Sequence, residues 1–269
     1  MYINGTDQFE NLYIFDLDNA YGFLSLNNFS GIAILDVSKA ESYYAIVALS
    51  APQVMGAYVL TVNPSNSEDD TDPFMFQKKI SSDGNVNAVD VMYPAMSFFL
   101  YANPEFLRFN PNPLFQNQEG GFYPNGYSMH DLSSSFPNAV GHMEGNGEYM
   151  PVEESGNMIL MACAYYKFIG NSGYIQKHYN LLKQFTQYLI EFSLILGIQL
   201  STGKPTITPT RLCTHANHTI DDFAGRLTNW TNLAIKGILA LQAMSGAADV
   251  AGMSADAQNF SATASNYFK

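Results

Sequence analysis

Three pairs of adjacent polar residues in this sequence have side chains that could catalyse a hydrolysis. Glu153-Glu154 stands at the start of a predicted helix, His130-Asp131 lies in an aromatic-rich segment, and Asp221-Asp222 comes shortly before another predicted helix. A carboxylate can take a proton from water, and a second carboxyl group or an imidazole can deliver one to a leaving group. One interpretation of the three pairs is therefore an acid–base site.

Each pair also has a structural interpretation. Carboxylates in the first turn of a helix complement the helix dipole, and an aspartate in a loop can cap a turn. Consecutive side chains at a helix end diverge, so one member of a pair can face a cavity while its neighbour faces away. The residues alone leave both interpretations open, and they do not show which member of each pair would be catalytic.

Two other groups of polar residues are weaker candidates. Asn85 lies in the segment Asp83–Asn87, whose amides could bind a polar ligand, although an ordinary turn is the favoured interpretation. His142, Glu144 and Glu148 share a Gly- and Asn-rich segment, but their spacing fits no known metal motif. The sequence also has no GxSxG, P-loop or dinucleotide-binding glycine motif.

The candidate residues lie on or between segments with helical patterns. Steps of three and four separate the apolar residues Ile175, Tyr179, Leu182, Phe185, Leu189 and Phe192. Such spacing marks one buried helical face. Helices are predicted over Tyr43–Leu60, Val89–Leu100, Val152–Gly170, Gly173–Leu196, Asn229–Val250 and Ala255–Lys269. The predicted fold is all-α, an array of αα-hairpins, with a long functional loop over 103–151.

The composition narrows the possible partners. The chain has 12 lysines and arginines against 24 acidic residues, for a net charge of −12. Such a charge repels nucleic-acid phosphates and anionic lipids. The 47% hydrophobic content is enough for a substantial core. A small polar molecule is therefore the expected partner, with no nucleic acid and no membrane.

Other features suggest a secreted protein. Asn-x-Ser/Thr sequences occur at five positions, and glycosylation is predicted at Asn4, Asn28, Asn229 and Asn259 but not at Asn217. Met1–Phe9 lacks the basic start and apolar stretch of a signal peptide. Cys163 lies in an apolar run and is predicted to be a buried free thiol, in preference to a disulfide with Cys213.

Five long segments, in order along the chain, resemble the fungal glutaminase A family: SSDGNVNAVDVMYPA, YANPEFLRF, PLFQNQEGGFYPNGYSMHDLSSSFPNAVGH, MPVEESGNMILMACAY and DDFAGRLTNWTNLAIKGILALQAMS. The resemblance runs from about Tyr43 to Lys269. It implies a secreted hydrolase that releases ammonia from L-glutamine, with a helical domain similar to the (α/α)6 toroid of six-hairpin glycoside hydrolases. The chain is then an unassigned segment, 1–40, followed by a partial toroid-like catalytic domain, 41–269.

With this resemblance, the three pairs acquire roles. Glu153, Glu154, Asp221 and Asp222 are expected to form the acid–base set, with Asp131 as a further catalytic residue. His130, Asn85 and Asn157 are expected to bind the substrate, which is glutamine or a short saccharide. No metal and no cofactor are expected.

The sequence departs from the family pattern in three places. Residues 1–40 match poorly, and the family's N-terminal β-sandwich region and final hairpins are not found, so we expect an incomplete copy. Gly203–Ile220 interrupts a family motif that otherwise runs from Thr202 into Asp221. Gly-Lys can be encoded with a splice donor and Ile-Asp with an acceptor, so our hypothesis is a translated intron.

Two other functions are compatible with the sequence. A glycoside hydrolase of the same helical clan also needs two opposed carboxylates, although a sugar cleft usually has more aromatic platforms than the single Trp provides. A catalytically inactive fragment would follow from the insertion and the missing hairpins. The oligomeric state stays open.

Overall fold

A computed structural model describes residues 37–61, 73–79, 84–194 and 231–269. Two compact units divide the chain, the first ending at Gly56 and the second beginning at Ala57. The described part of the first unit is helix α1 (Val37–Gly56). The sequence predicted a helix from Tyr43 to Leu60, but α1 begins earlier and stops at Gly56. Pro52 lies inside α1 instead of breaking it.

The described part of the second unit contains the elements that carry the site. They are β1 (Tyr58–Thr61), β2 (Phe74–Gln77), α2 (Val89–Ala102), α3 (Pro104–Phe109), α4 (Asn112–Glu119), α5 (Pro151–Ile169), α6 (Ser172–Phe192), α7 (Thr231–Val250) and α8 (Ser254–Tyr267). The two short strands pair antiparallel, with Tyr58 opposite Gln77. The prediction of an all-α fold is confirmed, with this one hairpin added.

The long helices form two hairpins whose turns contain glycine. Gly170 (φ 79°) caps α5 in the left-handed conformation, and its N–H donates to the carbonyl of Tyr166 at 2.7 Å. Gly252 (φ 80°) lies in the turn between α7 and α8. Glycine adopts this conformation without the steric cost of a side chain. α5 packs against α2, α6 and α7, and α7 packs against α6 and α8.

The predicted helical faces are buried almost throughout. On α6 the apolar stripe is buried from Ile175 to Leu189, whereas Phe192 is half-buried. α7 is the only described helix long and apolar enough to cross a membrane, with a mean hydropathy of 1.3. It packs against three other helices through buried residues such as Leu233, Leu241 and Met244, whereas Ile235 and Leu239 are exposed.

Part of the predicted loop over 103–151 is helical. The side chain of Asn103 accepts a hydrogen bond from the Glu105 N–H at 3.1 Å and so caps α3, with Pro104 at its first position. Pro111 directly precedes α4, and Pro113 lies in its first turn. The prolines suggested a loop, but proline is compatible with the first turn of a helix because no intrahelical partner exists for its missing N–H.

Candidate active site

Residues 127–133, here called the strap, are fixed to two helices. The side-chain amide of Gln118 on α4 bonds the strap backbone on both sides of Ser128, at 3.0 and 3.2 Å. The Ser128 N–H donates to the hydroxyl of Ser155 on α5 at 3.1 Å. An irregular segment with its backbone bonded in this way can hold side chains in place as firmly as a helix does.

The strap also pairs with the segment that leads into α2. Three backbone hydrogen bonds of 2.7–2.9 Å join residues 130–133 to residues 86–89. One of them runs from the Val89 N–H to the His130 carbonyl at 2.9 Å. His130 is thereby placed beside the first turn of α2, which carries Asp90.

Asn87 stabilises this entry into α2. It is fully buried and has a φ of 53°. Its side chain accepts from the Gln77 N–H at 2.8 Å and donates to the carbonyl of Asn110 at 2.8 Å. Nearby, the Asn85 carbonyl accepts from the Lys79 N–H at 2.9 Å. Asn87 thus has a structural role in the turn, whereas substrate binding by Asn85 stays a prediction.

Carboxylates surround His130 at the junction of the strap, α2 and α5. We call the following residues the acid–histidine cluster: Asp90, His130, Asp131, Glu148 and Glu154. The His130 Nε2 atom lies 3.4 Å from Asp90 Oδ1, 3.5 Å from Glu148 Oε2 and 3.9 Å from Glu154 Oε1. The side chains of His130 and Glu154 are 0% exposed, whereas that of Glu148 is 27% exposed and lies nearest to solvent.

Asp131 lies on the opposite side of the imidazole and orients it. Its Oδ2 atom is 2.6 Å from His130 Nδ1, and its Oδ1 atom accepts from the Ser133 N–H at 2.5 Å and from His142 Nε2 at 2.8 Å. Asp131 is 1% exposed. Because both oxygens are occupied, the geometry fits a positioning residue, and the predicted catalytic role for Asp131 stays untested.

Burial and charge shift the acid–base equilibria of the cluster. Burial raises the pKa of Glu154 well above its usual value. Burial alone would lower the pKa of His130, but the carboxylates of Asp131 and Asp90 beside its two ring nitrogens raise it to about 10. For Asp90 and Asp131, burial acts to raise the pKa, but the neighbouring His130 outweighs it and lowers both values. Protonated His130 compensates the neighbouring carboxylates, and Lys79 adds positive charge near Asp90.

Glu153 has a different partner from Glu154. Its Oε1 atom pairs with the ammonium group of Lys236 on α7. The Lys236 Nζ atom also donates to Asn157 Oδ1 at 2.9 Å, and it lies 4.6 Å from the centre of the Tyr93 ring. Asn157 Nδ2 lies 3.2 Å from Glu153 and 3.1 Å from Glu154. We call Glu153, Asn157 and Lys236 the lysine group.

The close approach of Lys236 depends on a glycine in α5. A Cβ atom at Gly156 would lie 3.1 Å from Cγ of Lys236 and 3.4 Å from its Cδ. Only the missing side chain therefore lets the lysine stem cross α5 at this level without displacement.

The structure brings together only some of the predicted site residues. Glu153, Glu154, Asn157, His130 and Asp131 converge, with Glu153 and Glu154 directed to different partners. The pair Asp221-Asp222 lies outside the described residues. Of the loop residues discounted for a metal, Glu148 belongs to the cluster and His142 contacts its Asp131, whereas Glu144 is exposed.

Sequence reasoning missed three contributors to the site. Asp90 lies in the first turn of a helix of mostly apolar residues, and it belongs to no recognised motif. Lys236 contacts a residue 83 positions away. Glu148 lay in the right loop but without a recognised spacing. An acid at the start of an otherwise apolar helix was the one available signal for Asp90.

A separate groove lies between α2, α5, α7 and α8. Its volume is about 1080 Å³, and its lining includes Tyr93, Cys163 and Lys167 but no member of the acid–histidine cluster. Cys163 is a free, half-buried thiol, and burial raises its pKa to about 12. A thiol with so high a pKa is a poor nucleophile at neutral pH.

Comparisons with a family model and with curated proteins identify the same family. Residues 40–269 match the model of the glutaminase A six helical-hairpin domain. Glutaminase A of Aspergillus oryzae is 42% identical over 230 residues, which cover 86% of this chain and 30% of that protein. A probable glutaminase of Arthroderma benhamiae is 34% identical over an aligned length of 315 residues, gaps included, and the alignment covers 96% of this chain and 34% of that protein. The chain spans about a third of the length of these curated relatives.

Proposed function

The chain belongs to the glutaminase A family, and on this premise we propose that it hydrolyses the side-chain amide of L-glutamine to glutamate and ammonia. The observation that carries the proposal is the buried convergence of Asp90, Glu148 and Glu154 on His130 Nε2. Amide hydrolysis needs a base for the attacking water, a stabilising group for the developing oxyanion and a proton for the leaving ammonia.

Glu148 is the best placed proton carrier. It is the more exposed carboxylate of the cluster, so both water and substrate can reach it. It takes a proton as the water oxygen attacks the amide carbon. It returns that proton to the nitrogen as the carbon–nitrogen bond breaks and ammonia leaves. His130 directs Nε2 toward the same space and stabilises the negative charge on the amide oxygen, while Asp131 holds its ring.

The lysine group is suited to the other end of glutamine. Free glutamine carries an α-carboxylate and an α-ammonium group. Lys236 offers a positive charge to the carboxylate, and Glu153 offers a negative charge to the ammonium. In the structure these two side chains pair with each other. Binding of the substrate would exchange this internal pair for two pairs with the ligand, so the lysine group would select free amino acids.

A second candidate, sugar hydrolysis, fits the geometry less well. The ligand oxygens of Asp90 and Glu154 lie within 4.8 Å of each other, with His130 beside them. Retaining glycosidases hold their two carboxyl groups about 5–5.5 Å apart and inverting ones about 6.5–9.5 Å apart. This pair is therefore too close for the inverting arrangement and slightly closer than the retaining one.

The purified chain tests the choice of reaction. We expect ammonia release from L-glutamine in a coupled assay, no reducing-sugar release from oligosaccharides, and loss of ammonia release in Glu154→Gln. Sugar release without ammonia release would support the glycosidase. A chain that melts cooperatively but turns over neither substrate would identify the inactive fragment.

We also propose that the protein is extracellular and glycosylated, and that its hairpins belong to an (α/α)6 array. Asn259 is exposed on α8, which supports its use as an acceptor; the other predicted acceptors lie outside the described residues. Expression in a yeast secretion system should give an electrophoretic shift that endoglycosidase removes and that Asn259→Gln reduces. An unchanged mobility would contradict glycosylation at this site.

A further inference from the structure

We propose that Asp90, His130 and Glu154 bind a divalent metal ion. Each offers one ligand atom, and the three atoms lie within 4.8 Å of one another. The ligands come from α2, the strap and α5, all of which are fixed to one another by the contacts described above. The proposal concerns ion binding itself and does not rest on the hydrolysis of glutamine.

The ligand atoms are buried without hydrogen-bond partners. His130 Nε2, Asp90 Oδ1 and Glu154 Oε1 are inaccessible and make no hydrogen bond in the part of the chain that the structure describes. Burial of a polar atom without a partner is unfavourable, and burial of a charged one more so. A cation between the three atoms would satisfy all of them at once.

The distances are close to those of a metal site. Tetrahedral ligands at about 2.0–2.1 Å from zinc are separated by roughly 3.4 Å. His130 Nε2 is 3.4 Å from Asp90 Oδ1 and 3.9 Å from Glu154 Oε1. Asp90 Oδ1 and Glu154 Oε1 lie within 4.8 Å of each other, so the carboxylates would have to close around the ion to complete the coordination. Glu148 Oε2, at 3.5 Å from Nε2, is close to the three ligands but is not one of them.

The surroundings of His130 prepare it to be a ligand. Its Nδ1 atom bonds Asp131 Oδ2 at 2.6 Å, so an ion that displaced the proton from Nε2 would meet a lone pair directed toward the other two ligands. Metal-binding histidines usually have a carboxylate partner of this kind on the second nitrogen. Here the partner is itself held by Ser133 and His142.

The charge and the donor types indicate which ion would bind. Two ionised carboxylates and a neutral imidazole together carry two negative charges, which one divalent ion neutralises. One nitrogen with oxygen ligands and no thiolate favours Zn²⁺ or Mn²⁺ over the ions that prefer sulfur. A bound ion would activate a water molecule, and Glu148 would remain as the base.

Titration of the purified chain tests the site. After treatment with EDTA, isothermal titration with Zn²⁺ and with Mn²⁺ should show one ion per chain, and saturating ion should raise the melting temperature. Asp90→Asn and Glu154→Gln should each weaken ion binding at least tenfold. The control variant Glu144→Gln, which changes an exposed acid four residues before Glu148, should bind the ion like the parent. Asp131→Asn should weaken binding about 10- to 100-fold through His130.

Two results would overturn the site. One is a parent chain that binds neither ion, in which case a proton on His130 is what compensates the carboxylates. The other is unchanged affinity in both ligand variants. If Glu154→Gln does not fold, Asp90→Asn and the visible spectrum of the Co²⁺-loaded parent decide the matter. Ammonia release is measured separately, so an inactive chain that binds one ion contradicts the proposed function and leaves the site intact.

Discussion

At the scale of single residues, neighbours in the sequence have separate roles. Glu154 faces His130, whereas Glu153 pairs with Lys236, although the two acids are adjacent in the first turn of α5. The sequence identified both as candidates from their type and position. It could not assign their partners, because Lys236 and Asp90 come from distant helices and only the packing of α5 against α2 and α7 brings them near.

Lys236→Met tests the lysine group. The methionine keeps an apolar stem across Gly156 and Tyr93 but removes the charge that we assign to the substrate's α-carboxylate. We expect KM for L-glutamine to rise about 10- to 100-fold, the effect of losing one charged contact, with a smaller change in kcat. Steady-state kinetics measure both parameters.

The same substitution leaves Glu153 buried without its cation. We expect a loss of about 1–3 kcal/mol in the free energy of unfolding, and part of it should return in the double variant Glu153→Gln/Lys236→Met. Urea denaturation of the parent, of Glu153→Gln, of Lys236→Met and of the double variant gives the coupling energy. A double variant as destabilised as the sum of the single ones would show that the two side chains are not coupled.

At the scale of elements, long helices with regular apolar spacing could be predicted, and short elements could not. The apolar spacing on α6 predicted both the helix and its buried face. α3 and α4 were missed because proline occurs both in loops and in first helical turns, and four-residue strands such as β1 carry too little periodicity. The strap is held by hydrogen bonds to residues that are distant in the sequence, so its position could not be predicted from local sequence patterns.

Two glycines on α7 give a matched test of helix packing. A Cβ atom at Gly237 would overlap with Cβ of Ser193 at the end of α6, whereas nothing lies within 4 Å of one at Gly246. Gly237→Ala should therefore destabilise the fold by about 1–3 kcal/mol, and Gly246→Ala should stabilise it by about 0.5–1 kcal/mol. Equal effects of the two in urea denaturation would contradict the described contact between α6 and α7.

Asp256 links α8 to α6 in a pH-dependent way. It accepts hydrogen bonds from Lys183 Nζ at 2.6 Å and from the Tyr179 hydroxyl at 2.7 Å, and these bonds lower its pKa. A carboxylate with a lowered folded-state pKa stabilises the protein above its unfolded pKa of about 3.9, and this contribution is lost as the pH falls through the folded value.

Asp256→Asn should therefore lower the melting temperature at pH 7, by up to about 2–4 °C for an ion pair worth about 1 kcal/mol. The difference from the parent should shrink as the pH falls below about 4. Differential scanning fluorimetry at several pH values measures it. A difference that is the same at pH 7 and pH 3 would show that the carboxylate charge has no part in the contact.

At the scale of the whole molecule, family membership was recognisable from long ordered segments, since these preserve both the helix faces and the site residues. The divisions at 1–40 and 41–269 stay a prediction, as does the translated-intron hypothesis for Gly203–Ile220. Sequencing of transcripts should show the codon for Thr202 joined to that for Asp221. Transcripts that mainly retain the insertion would contradict the hypothesis.

The central claim is that the acid–histidine cluster carries out the hydrolysis, with Glu148 as its proton carrier. Its most direct test is the kcat for ammonia release from L-glutamine in Glu148→Gln and in its loop neighbour Glu144→Gln, both checked for an unchanged melting temperature. We predict a loss of about 10²–10⁴-fold in kcat for the first and parent-like activity for the second. Equal activity in the two variants would contradict the claim.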